Sequence, residues 1–160
     1  MKLKLILLNL AVLLSCNFFT TTVKADNNED SLSIEEKRDN NLADKMKKIN
    51  RALNNKIFTL KEHSSKISRD NYWINYVKNI NYLKNNQLEI YVNKKFKKLS
   101  TKKKENIIKT IQRQSLTEVI RSIDLTTSEY MDGLSSIIYC DGIYIGRSVF
   151  LNAKEFKWID

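Results

Sequence analysis

The stretch NYWINYVKNINYLKNNQLEIYVNKKFKKL, residues 71–99, decides how this chain is read. Taken at helical spacing, Tyr72, Trp73, Tyr76, Val77, Ile80 and Leu83 fall on one face, with Asn75, Lys78, Asn79 and Asn81 outside it. Asn85-Asn86 then reads as a helix stop. Leu88, Val92, Phe96 and Leu99 lie in one narrow arc of a further helix, with Lys94, Lys95, Lys97 and Lys98 around the rest. The spacing predicts two amphipathic helices here.

Upstream, Ser33-Ile34-Glu35-Glu36 has the form of a capping box. It opens a stripe of Leu42, Met46, Ile49, Leu53, Ile57 and Leu60 at steps of three and four, a helix running to about Lys61. Strict heptads would put Lys56 and His63 in the seam, which favours a globular bundle over a coiled coil. Downstream, a helix is expected from Thr101 to about Asp124. Its apolar face drifts from Ile107, Ile108 and Ile111 to Leu116, Val119, Ile120 and Ile123, and Ser115 to Glu118 offers a place to restart. All the glycines, Gly133, Gly142 and Gly146, lie beyond it among β-branched and aromatic residues. Ser136 to Cys140, Asp141-Gly142 and Ile143 to Leu151 read as a hairpin on a type I′ turn; a glycine-interrupted terminal helix is the alternative. The expected fold class is mostly α: about four amphipathic helices in a small bundle, closed by a short C-terminal β-hairpin over about 136–151.

Residues 1–25 read as a signal peptide. Lys2 and Lys4 precede an apolar run from Leu5 to Leu14, and Val23-Lys24-Ala25 has the small residues a signal peptidase cuts after. Leu13-Leu14-Ser15-Cys16 also resembles a lipobox, so acylation of Cys16 is the rival processing route. Residues 26–32 read as a disordered acidic N-terminus and 33–160 as a single helical domain. No later apolar run is long enough to cross a bilayer, so no transmembrane segment is expected in the mature chain.

Lys and Arg number 28 against 18 Asp and Glu, a net charge of +10. With abundant Asn and Ile and no Pro, the lysine excess has two readings: the coding bias of an AT-rich genome, or a basic surface for an acidic partner. Cys16 and Cys140 are the only cysteines, which leaves no disulfide framework inside the mature domain. Cys140 reads as a small buried hydrophobe or as a thiol that pairs between chains.

The sharpest surface feature is a basic run of Lys94, Lys95, Lys97, Lys98, Lys102, Lys103 and Lys104, interrupted by Phe96 and Leu99. Its second half falls in the first turn of the Thr101 helix, where cations oppose the helix dipole by a few tenths of a kcal/mol or more each. Lysines kept there despite that cost are candidate contacts to an anion or an acidic partner. Sequence-specific base reading is disfavoured, because the run has no arginine. Tyr72, Trp73 and Tyr76 form either a partner-binding face or simply core.

No metal-ligand cluster, phosphate loop or nucleophile motif occurs, so neither cofactor nor metal is expected. His63 is read as a helix-end residue, and Asp124, Glu129, Asp132 and Asp141 as caps or turn residues. The expected function is an exported, non-catalytic, effector-like protein acting on a protein or an anionic partner. A periplasmic or lipid-anchored immunity or inhibitor protein is the first alternative. A small hydrolase using paired carboxylates is the second.

Overall fold

The computed structural model describes the backbone of residues 28–63 and 69–159; residues 1–25, read above as a signal peptide, and Cys16 with them lie outside the described residues. The chain is not a helical bundle. It is a five-stranded mixed sheet with one long helix, one medium helix and shorter ones.

Helix α1 spans Asn28–Glu62, so it begins ahead of the Ser33 box. Its stripe packs as read: Ile49, Leu53 and Ile57 are buried, with Met46 and Leu60 half-buried against the same core. The expectation fails in the segment 71–99. Arg69–Asn75 forms a 3-10 turn, Val77–Leu83 is strand β1 and Gln87–Val92 is strand β2. The physical reason is a period of two. Leu88, Ile90 and Val92 are all 0% exposed and alternate with Gln87, Glu89 and Tyr91. Ile90 sits off the helical arc through Leu88 and Val92 and is as buried as either. Asn85-Asn86 does not stop a helix; it turns a hairpin, with φ of 67° and 53° in the left-handed region that Asn tolerates.

Past β2, Asn93 accepts from the Lys95 N–H and caps α2, Lys94–Lys97, which buries Phe96. Helix α3, Thr101–Val119, is the fourth helix of the sequence reading. It runs through Ser115 without a restart and buries Ile107, Ile108, Ile111 and Val119. A short α4, Thr127–Asp132, follows with a full capping box between Thr126 and Glu129. The expected hairpin is present as β3, Ser135–Cys140, and β4, Ile143–Val149. Asp141 and Gly142 at its turn hold φ of 50° and 80°, as a type I′ turn requires. A last strand, β5, Asn152–Trp158, was not anticipated.

The strands lie in the order β1-β2-β3-β4-β5. β2 and β3 are parallel, joined by the crossover through α2, α3 and α4, and the other neighbours are antiparallel. Helix α1 packs on β1, and α3 packs on β3 and β5 and against α1, so one face of the sheet is covered. A buried polar knot ties α3 down. Gln112 Nε2 donates to the Leu134 and Ala153 carbonyls at 2.8 and 2.9 Å, with Ser136 Oγ and Ser148 Oγ also within 3.3 Å.

At the far side of the sheet Trp158 lies across Gly146, its register partner on β4. A Cβ at 146 would stand 2.6 Å from Trp158 Cε3 and 3.0 Å from the Lys157 carbonyl. Gly146→Ala should therefore cost about 1–3 kcal/mol in urea unfolding through overpacking. A variant as stable as the parent would mean that the Trp158 ring does not lie there.

Candidate functional site

The lysines of the basic run gather at the end of the sheet where β2 and β3 finish. All lie on α2, α3 or the link between them. Lys94, Lys95, Lys97, Lys98, Lys102 and Lys103 are exposed, and Lys104 is half-buried. Phe96 anchors the middle of the corner in the core, with its ring 5.9 Å from that of Trp158. Lys104 Nζ lies 5.5 Å from the Trp158 ring centroid, a cation–π contact.

Asp141 is the one carboxylate in ion-pair contact with the run among the described residues. It pairs with Lys94 at 3.8 Å and with Lys78 of β1 at 2.7 Å. The Lys78 hydrogen bond holds the Asp141 carboxyl below the usual range, and the charges of Lys78, Lys94 and Lys97 act in the same direction. The other lysines of the run have no acidic partner among the described residues. The first turn of α3 carries no acid, and Ser100 makes no side-chain cap bond. The electropositive end of α3 and Lys102, Lys103 and Lys104 thus add to one another.

The sheet face away from α1 and α3 has no helix packed on it among the described residues. The register places Asn79, Tyr91, Tyr139 and Tyr144 side by side across β1, β2, β3 and β4. Tyr91 and Tyr139 stack at 5.4 Å and 19°, and Tyr139 meets Tyr144 edge-on at 6.2 Å and 60°. Rings stacked on each other across neighbouring strands stand upright, so their faces are already used. Such a row suits edge and hydroxyl contacts to a polar partner better than the stacking of flat rings. The Tyr91 hydroxyl donates to Glu89 Oε2 at 3.0 Å, and that bond pushes it above its ordinary value. This tyrosine row was missed in the sequence. Its members alternate with the core residues of their strands, but alternation alone does not say which strands are neighbours. It runs into the basic corner, since Tyr139 lies two positions before Asp141 and Tyr91 three before Lys94.

The other sequence-derived candidates separate. Trp73 is buried, and Tyr72 and Tyr76 are packed half-buried against the same core, so these three side chains pack as core residues do. Cys140 is buried and free, which withdraws its thiol from pairing between chains. His63 is exposed, with Nδ1 2.8 Å from the Thr59 carbonyl one turn earlier. A cleft of about 460 Å³ opens at the opposite end of the sheet from the lysines, bounded by Asn86, Glu129, Asp132, Arg147, Phe150 and Leu151. Glu129 is engaged as a cap there. Its carboxylate accepts from Thr126 N and Thr126 Oγ at 2.8 Å and from Asn86 Nδ2 at 3.1 Å, which lowers its pKa. A carboxylate held ionised in this way is poorly suited to act as a general acid. Of the acidic residues weighed for hydrolysis, Glu129 and Asp132 both line this cleft, and Asp141 lies at the other end of β3.

Among the described residues no group of His, Cys, Asp and Glu could hold a metal ion, and no helix is long and apolar enough to cross a membrane. No family model matches the chain, and searches of curated proteins and of solved structures also give no match.

Proposed function

We propose that this chain is an exported, non-catalytic binding protein that docks an acidic surface of a partner protein. In this reading the basic corner and the tyrosine row act together. The lysines supply long-range attraction and orientation, and the tyrosine edges supply the short-range contact. The observation that carries the reading is the continuity of the two surfaces, with Asp141 the one carboxylate paired to the lysines there among the described residues. Export rests on the pattern of residues 1–25.

The test is binding to polyglutamate, a probe with the charge of an acidic protein surface. Affinity should fall as salt shortens the screening length, which is about 10 Å at 0.1 M. Replacing Lys102, Lys103 and Lys104 together with Gln should weaken binding about tenfold, at roughly 0.2–1 kcal/mol for each exposed pair. Thermal melting should change little, because the gain from removing cations at a helix N-terminus is offset by the lost Lys104–Trp158 cation–π contact. A triple variant that binds like the parent at low salt would identify the run as coding bias on a solvated face. The tyrosine row would then stand alone.

A further inference from the structure

We propose that β5 is the edge through which two copies of this chain join into one continuous antiparallel sheet. The two edges of the sheet are treated differently. On the outer side of β1, the Ile80 and Tyr82 backbone groups are taken up by α1. Asn50 Oδ1 accepts from Tyr82 N at 2.6 Å, and Asn50 Nδ2 and Asn54 Nδ2 donate to the Tyr82 and Ile80 carbonyls at 3.1 and 3.2 Å. Two asparagines one turn apart thus stand in for a neighbouring strand and close that edge.

Among the described residues nothing equivalent protects β5. Ile159 N donates to the Ile145 carbonyl at 3.0 Å, and Arg147 and Lys157 are partners in the same register. By the alternation of an antiparallel ladder, the N–H and C=O groups of Phe156 and Trp158 therefore point away from β4. They have no hydrogen-bond partner among the described residues.

The sequence of this edge, Lys154-Glu155-Phe156-Lys157-Trp158, is complementary to itself when run antiparallel. With a two-fold axis at Phe156, the Phe156 groups of the two copies bond each other, and the Trp158 N–H meets the Lys154 carbonyl of the second copy. Glu155 then falls opposite Lys157 of the second copy, and Lys157 opposite its Glu155. These are the close, non-hydrogen-bonded positions where side chains interact most strongly.

The isolated chain lacks that pairing. Neither Glu155 nor Lys157 takes part in an ion pair among the described residues, and Lys157 lies opposite Arg147, a like charge. Pairing would set a carboxylate on the free side of Lys157. It would also carry Ile159, 56% exposed, towards the Asn152–Ala153 end of the second copy.

Sedimentation equilibrium on the purified protein tests this. The parent should show a concentration-dependent monomer–dimer equilibrium. Lys157→Glu should raise the dissociation constant about tenfold or more, since both cross-strand pairs become like-charged. The change should leave the monomer's melting intact, because residue 157 is exposed and the new charge faces Arg147. The charge exchange Glu155→Lys with Lys157→Glu should restore the parent's dissociation constant to within a few-fold. Any one of three results would overturn the proposal: a parent monomeric at the highest concentration reached, a dimer indifferent to Lys157→Glu, or an exchange variant that stays dissociated. A monomeric parent that instead takes up an added extended peptide along β5 would assign the edge to a different chain. Of the changes at the basic corner, Lys104→Gln removes a contact to Trp158 of β5, whereas Lys102→Gln with Lys103→Gln leaves this edge untouched, so that double variant makes failure of either reading visible separately.

Discussion

Trp73→Ala is expected to lower the stability of this chain by about 3–5 kcal/mol, a large share of what holds a domain of this size. Trp73 is 1% exposed and is the largest of the fully buried side chains. It comes from the 3-10 turn between α1 and β1 and so packs where those elements and α3 meet. Among the described residues its indole Nε1 has no hydrogen-bond partner, so its contribution is packing and the ring nitrogen counts against it. Trp73→Phe should therefore lose less than half as much as Trp73→Ala, because it leaves a smaller void and removes an unsatisfied donor. Urea unfolding followed by circular dichroism measures both, with unchanged m-values confirming that stability moved and not compactness. Parent-like unfolding of Trp73→Ala would return the Tyr72, Trp73 and Tyr76 face to the surface and make it a candidate docking site again.

The part of the fold legible in the sequence was the part with long, regular periodicity. In α1 the stripe from Met46 to Leu60 repeats over several turns, and no strand pattern competes with it. In α3 Ile107, Ile108 and Ile111 cannot all lie on one face of a strand. Asp141-Gly142 carries its turn type in its chemistry.

Segment 71–99 misled for two specific reasons. A spacing of four is shared by both periodicities, so Leu88, Val92 and Phe96 fit a helix as well as a strand, and only Ile90 tells them apart. The β-bulge between Val77 and Asn79 shifts the buried positions of β1 from Val77 to Ile80, a step of three that mimics a helix. β5 was hidden by its charge, with Lys154, Glu155 and Lys157 around Phe156 and Trp158. Of the candidate surface, the lysine run could be read directly. The tyrosine row could not, because it exists only once β2 and β3 are known to be parallel neighbours across a long crossover.

Replacing Asn50 and Asn54 together with Ala should cost about 2–4 kcal/mol, although each change favours the helix by a few tenths of a kcal/mol. The loss arises at β1, not in α1. Tyr82 N, Tyr82 O and Ile80 O would lose partners that now lie at 2.6, 3.1 and 3.2 Å, in half-buried positions that water reaches poorly. Asn50→Asp separates the two halves of the device. Its carboxylate can still accept from Tyr82 N but cannot donate to the Tyr82 carbonyl and instead repels it, so an intermediate loss is expected at neutral pH. The double variant should also associate differently. With β1 uncovered and β5 open, each molecule would carry two unpaired edges. Closed pairs would then give way to growing assemblies that scatter light, increasingly so with concentration. Stability within about 0.5 kcal/mol of the parent, with no change in scattering, would show that the asparagines merely lie near β1 and do not close its edge.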